Sequence, residues 1–118
     1  MWCIFINKRC IALPFDVISS MEISINVITQ GKHVLVAACD LDLLGKTLKF
    51  GKINFEIRQD FYGGSVVNLE EAVNLIRRGT VVNMVGNVIV NKAIEEGLLH
   101  PKAVLNISGI SHAQIVQL

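Results

Sequence analysis

The chain has 118 residues, the size of one ordinary domain, long enough to build a core without metal or disulfide staples. Hydrophobic residues make up 52% and charged residues 18%, which excludes a disordered chain. The longest apolar runs, residues 34–39 and 85–90, the second interrupted by Asn87, fall far short of the ~20 residues a membrane helix needs. Lys and Arg number 11 against 10 Asp and Glu, a net charge of +1, so the chain as a whole lacks the basic excess of a dedicated nucleic-acid binder and only a local patch remains open.

Residues 1–20 differ from the rest of the chain. Lys8 and Arg9 split their apolar stretch, and neither the h-region nor the cleavage site of a signal peptide is present. Their apolar residues fit neither a clean helix nor a clean strand. Two readings stay open: Met21 is the initiator and the first twenty residues are a mis-annotated gene start, or they are a leader that packs on the domain or on a partner. In both the domain is residues 21–118, and without Lys8, Arg9 and Asp16 it is electrically neutral.

Residues 22–28 alternate, with Ile23, Ile25 and Val27 opposite Glu22, Ser24 and Asn26, the period of a half-buried strand. A turn at Gln30, Gly31 and Lys32 leads to a returning strand over residues 33–39, apolar enough for the sheet interior. Asp40 is expected to cap a short helical turn over residues 41–44 that Gly45 ends. Residues 47–50 and 52–58 read as two more strands about Gly51, and residues 59–64 as a loop with two glycines.

The strongest helix signal comes next. Asn68 is a good N-cap with Glu71 three residues on, Leu69, Ala72, Val73 and Ile76 form one stripe, and Arg77, Arg78 and Gly79 close the C-terminal end. Residues 80–85 read as an apolar strand and 87–96 as a second helix, although Val88, Ile89 and Val90 also suit a strand. After Pro101, residues 103–107 read as a strand, 108–114 as a loop and 115–118 as a last strand. The order strand–helix–strand across 80–107 implies parallel strands joined by a right-handed crossover. The expected fold class is α+β: a mixed sheet with an N-terminal antiparallel meander and a C-terminal βαβ unit, two helices packed on one face.

Four groups of residues then stand in a recognisable order. They are Cys39 and Asp40 followed by Leu43, Leu44, Gly45 and Lys46; Phe61, Tyr62, Gly63 and Gly64; Asn83, Met84, Val85 and Gly86; and Gly109, Ile110, Ser111, His112, Ala113 and Gln114. Together they resemble the archaeal domain-of-unknown-function family 424 over about residues 22–116. The chain departs from that pattern at Ser111, where the family places a proline, and in its first twenty residues. The resemblance implies an archaeal cytoplasmic protein with an α+β fold and no established activity, encoded among genes for translation and RNA handling.

The chemistry-bearing residues are sparse. Cysteines at 3, 10 and 39, without C-x-x-C or a Cys/His cluster, point to a reducing compartment and imply no disulfide framework and no metal. Gly45, Lys46 and Thr47 mimic the end of a phosphate loop, but the earlier glycine and the long helix are missing, and no cofactor is implied. Glu70 and Glu71, like Glu95 and Glu96, are neighbours on a helix and do not converge on one substrate. His112 is read as a turn-capping residue before it is read as an acid–base group, and His33 and His100 as surface or turn residues.

The first expectation is therefore a non-enzymatic binding module for RNA or a ribonucleoprotein such as the ribosome. Lys46, Lys49, Lys52 and Arg58 would meet phosphate, with the loops carrying Tyr62, Gly63, Gly64, Asn83, His112 and Gln114 beside them. A second reading is a small enzyme or metabolite-binding domain whose site joins Tyr62, Gly63, Gly64, Asn83 and His112. A third is a protein–protein adaptor or homo-oligomer, drawn from the apolar surplus. No reading calls for a membrane.

Overall fold

The computed structural model of the chain describes residues 21–117 throughout, and before them the backbone of two short strands, β1 (Cys3–Ile6) and β2 (Arg9–Ala12). These pair antiparallel as a hairpin of their own, where the sequence pattern indicates no regular element. Whether residues 1–20 form a leader falls otherwise outside the described residues, as does the end of the expected last strand at Leu118.

The domain opens with β3 (Glu22–Gln30) and β4 (His33–Asp40), paired from Ile23 opposite Asp40 to Gln30 opposite His33. Their two-residue turn uses Gly31 at φ 57, a conformation that costs a residue without Cβ nothing. A 3₁₀ turn at Leu41–Leu43 comes next, then β5 (Thr47–Phe50) and β6 (Ile53–Glu56). These form a separate two-stranded ribbon and not a continuation of the meander. Residues 59–64, expected as loop, contain one helical turn, α1 (Gln59–Tyr62), and lead into β7 (Ser65–Asn68), an edge strand that the pattern did not announce.

The helix α2 (Leu69–Arg78) forms where its signals placed it. Asn68 accepts from the Glu71 amide at 2.8 Å, and Leu69, Ala72, Val73 and Ile76 are buried. After β8 (Val81–Val85) and α3 (Asn87–Glu95) comes a 3₁₀ turn at Pro101–Ala103, then β9 (Leu105–Ile107) and β10 (Ile110–Val116). The expected loop over 108–114 is thus mostly strand. Only Ser108 at φ 52 and Gly109 at φ 84 make a turn, of the kind whose twist matches a tight hairpin.

The main sheet has six strands in the order β7-β3-β4-β8-β10-β9. β4 and β8 are the adjacent parallel pair, and the other neighbours run antiparallel. β8 and β9 also run parallel, joined through α3, with β10 inserted between them, so the crossover read from the sequence is a split βαβ unit. Both long helices pack on one face, against Ile23, Ile25, Val36, Ala38, Val82, Met84 and Ala113. The opposite face is half covered. The ribbon and α1 close over Ala37, Cys39 and Val85 with Leu43, Ile57 and Tyr62, and among the described residues no element covers the far half, where Ile28 and Val116 are exposed.

Candidate functional site

The open side of the sheet collects most of the residues marked by the sequence, because strand register repeats every second residue on one face. One cross-strand row runs Ser24, Cys39, Val85, His112 and Leu105; the next runs Asn26, Ala37, Asn83 and Gln114. Asn83 and Gln114 therefore face each other directly, with His112 two residues along from Gln114 on the same face and diagonal to Asn83. Tyr62 lies on the same face but is buried over Cys39 and Val85, beneath the ribbon.

Each of these groups is held by a specific partner. The Ser24 hydroxyl donates to the Tyr62 carbonyl at 3.0 Å, and the Asn26 side-chain amide donates to the Phe61 carbonyl at 3.0 Å. These two bonds fix α1 onto β3. Gly64 lies so flat on β3 that a Cβ there would come within 2.8 Å of the Ile25 carbonyl oxygen, and one at Gly63 would run into the Gln59 carbonyl. The two glycines thus serve close backbone approach within the fold. Burial pushes the Tyr62 phenol up to about 12 and the Cys39 thiol up to about 12, the latter with help from the charges of Asp40 and Asp42. Neither group is ionised at neutral pH.

His112 meets Phe55 of β6 edge-on, with ring centroids 5.3 Å apart. Burial holds its imidazole below the usual histidine range. The neighbouring Ser111 is tied down as well: its amide donates to the Asn87 side chain at 2.9 Å and its carbonyl accepts from the Gly86 amide at 2.8 Å.

The basic residues occupy the ribbon. Lys49 shares its outward face with Thr47, Asn54 and Glu56, Lys52 stands in the turn beside Gly51, and Lys46 at the base. All three are exposed, and among the described residues no carboxylate pairs with them. Arg58 differs. Its guanidinium holds Asp60 through two bonds of 3.0 and 2.8 Å, which lowers the Asp60 carboxyl and leaves the pair neutral. The ribbon is closed at its base and anchored near its tip. The Gly45 and Ile57 amides donate across its base to the Ile57 and Lys46 carbonyls at 2.8 Å, and the Ser108 hydroxyl donates to the Lys49 carbonyl near its tip.

Sequence reasoning missed the most constrained polar group, Asp40. It makes no side-chain bond to the 3₁₀ turn it was expected to cap. Its carboxylate instead accepts from the Val88 and Ile89 amides at 3.0 Å each, capping α3 from a neighbouring strand. The α3 N-terminus therefore already holds an anionic group of the chain's own. Burial raises the Asp40 carboxyl above its ordinary value, more than the two amides lower it. Gly86, at φ 127, has no room for a Cβ because the Asp40 carboxylate occupies that space.

On the helix side, Glu70, Asn74, Arg77, Lys92, Glu95 and Glu96 line a cavity of about 450 Å³. There the nearly buried Lys92 bridges Glu95 at 3.4 Å and Glu96 at 3.0 Å, while Arg77 meets Glu96 at 3.1 Å. Among the described residues no group of three or more His, Cys, Asp or Glu side chains is placed to hold a metal, and no helix is long and apolar enough to cross a membrane.

The chain belongs to the family described as protein of unknown function (DUF424), whose model matches residues 28–118. Its fold is similar to that in the crystal structure of an uncharacterized conserved protein from Methanopyrus kandleri, with a TM-score of 0.71 and 25% identity over 82% of this chain and 94% of that one. No curated protein matches it.

Proposed function

We propose that this family member is a non-enzymatic binding module that docks on folded RNA within a ribonucleoprotein, through the lysines of the β5–β6 ribbon. The observation that carries the reading is the set Lys46, Lys49 and Lys52: three exposed cations without a described carboxylate partner, on a ribbon closed at its base and tied to Ser108 near its tip. An ammonium meets phosphate as a point charge and asks for no base identity. Of the described aromatic side chains only Phe50 is largely exposed, so stacking on single-stranded bases contributes little.

Purified protein titrated onto folded ribosomal RNA tests this reading. Three phosphate contacts predict a log–log salt slope near −2.7, a loss of about 40-fold between 50 and 200 mM salt. The triple variant K46E/K49E/K52E changes only exposed side chains, so it keeps its fold and loses the binding. Binding by the triple variant equal to the parent's would remove the ribbon from the reading.

A second reading draws on the adjacency of His112, Asn83 and Gln114 on the open face, three hydrogen-bonding groups suited to a small polar ligand. Replacing Asn83 by Leu would abolish uptake of such a ligand and leave RNA binding unaltered, which separates the two.

A further inference from the structure

The apolar face of the β5–β6 ribbon is longer than the core it covers. Strand alternation places Leu48, Phe50, Ile53 and Phe55 on one face, opposite Thr47, Lys49, Asn54 and Glu56. The inner cross-strand pair, Leu48 and Phe55, packs against the cluster of Ala37, Cys39, Tyr62 and Val85. The outer pair, Phe50 and Ile53, belongs to neither core cluster and is 45% and 66% exposed, Ile53 being the most exposed large apolar side chain among the described residues. The two stand directly opposite one another beside the turn at Gly51 and Lys52 and form one small apolar plate. Cations border it: Lys49 precedes Phe50 on the other face of the ribbon, and Lys52 precedes Ile53 in the turn, both exposed. The plate is also held in place, because the Ser108 hydroxyl bonds the Lys49 carbonyl one residue from Phe50. Little freedom is then left to lose on binding.

We propose that Phe50 and Ile53 cap the exposed end of a base stack in folded RNA. Phe50 lies on the terminal base pair, and Lys49 and Lys52 reach the phosphates at its margin. The inference rests on the RNA reading above and names what the ribbon touches besides phosphate. A terminal base pair is a flat apolar surface with a π-face, bordered by anions, which complements this tip in polarity and in charge. One aromatic ring cannot follow a single strand, but one ring covers one stack end. Other occupants fit less well. A second copy of the tip would set Lys49 and Lys52 against their equals. A lipid bilayer would have to admit Lys52 ahead of Phe50 and Ile53, since the turn leads the ribbon, and a cation in hydrocarbon is costly.

The test uses the full chain and two RNA probes: a short hairpin with one blunt end, and the same helix closed by loops at both ends. The parent is expected to hold the blunt hairpin about ten-fold tighter than the closed helix, within the range that one stacked base contributes. F50A/I53A changes only exposed side chains, so it keeps the parent's far-ultraviolet circular dichroism. It should bind both probes alike, at the parent's affinity for the closed helix and with the parent's salt slope, because every lysine remains. F50W should keep the preference for the blunt end, whereas F50L, apolar but without a ring, should lose most of it. 2-Aminopurine in the terminal pair should dim as the parent binds and stay bright with F50A/I53A.

Equal affinity of the parent for the two probes, with the salt slope intact, would overturn the capping and leave phosphate binding by the ribbon standing. No binding to either probe would overturn both readings. Release from phosphatidylglycerol vesicles by F50A/I53A, with RNA binding unaltered, would overturn the capping and assign the pair to a lipid surface.

Discussion

Replacing Asp40 tests whether α3 is held by a carboxylate reaching it from β4. Asp40→Ala removes the acceptor of two amide protons at 3.0 Å, from a residue only 8% exposed. The Ile89 amide is then left buried without a partner, at a cost of about 1–3 kcal/mol, and the half-buried Val88 amide costs less because water reaches it. Against this stands relief from burying a charge, which is why the carboxyl titrates above its ordinary value. The balance is a loss of about 2 kcal/mol, near the upper end for helix-cap removal, and a fall in Tm of roughly 10 °C.

Asp40→Asn keeps one acceptor and should lose about half as much. Gly86→Ala presses a methyl onto the same carboxylate at φ 127, where backbone strain alone costs about 1–3 kcal/mol. Because both changes act on one contact, the double variant should fall short of the sum by about 1 kcal/mol or more. Urea unfolding followed by far-ultraviolet circular dichroism measures the four variants beside the parent. Asp40→Ala within ~0.5 kcal/mol of the parent, or strict additivity with Gly86→Ala, would refute the reasoning.

Three further outcomes rest on the same geometry. His112 binds its proton more weakly folded than unfolded, so stability is lost as pH falls below about 6.5 toward the folded value, with a slope of at most ~1.4 kcal/mol per pH unit; the difference between parent and H112Q unfolding curves should show this slope, and a flat difference would contradict it. Cys39, buried with a thiol raised to about 12, should escape iodoacetamide at pH 8 until urea unfolds the chain, as read by peptide mass mapping, and rapid native labelling would count against its burial. Asn68→Ala removes the cap of α2 and should cost about 1 kcal/mol in the same urea assay; an unchanged midpoint would show that the cap is dispensable.

How much of the fold was legible depends on how far each interaction reaches along the chain. The helix α2 could be read to within a residue because its cap, stripe and terminal charges all lie within eleven positions. The β3–β4 hairpin was equally local. β7 escaped because Ser65, Val66, Val67 and Asn68 become a strand only by pairing with β3, some forty residues earlier. β10 was masked by residues that read as a motif-bearing loop, and its strand character comes from β8 on one side and β9 on the other.

The candidate site obeyed the same rule. Lys49 is exposed by alternation within the ribbon, Lys52 by its place in the turn and Lys46 by its place at the base. The bond from Asp40 to residues 88 and 89 depends on the parallel β4–β8 pairing, which no local pattern announces. Gly63 and Gly64 were read as a loop open to ligands, but their freedom from Cβ is used against Gln59 and Ile25.

The most direct measurement is the sedimentation of this protein in native lysate, on gradients run at low and moderate salt, beside the triple variant K46E/K49E/K52E. The account predicts that the parent travels with ribonucleoprotein particles at low salt and leaves them as salt rises, while the variant stays at the top of both gradients. A parent that migrates as a free small protein at both salts, or a variant that still travels with the particles, would contradict it.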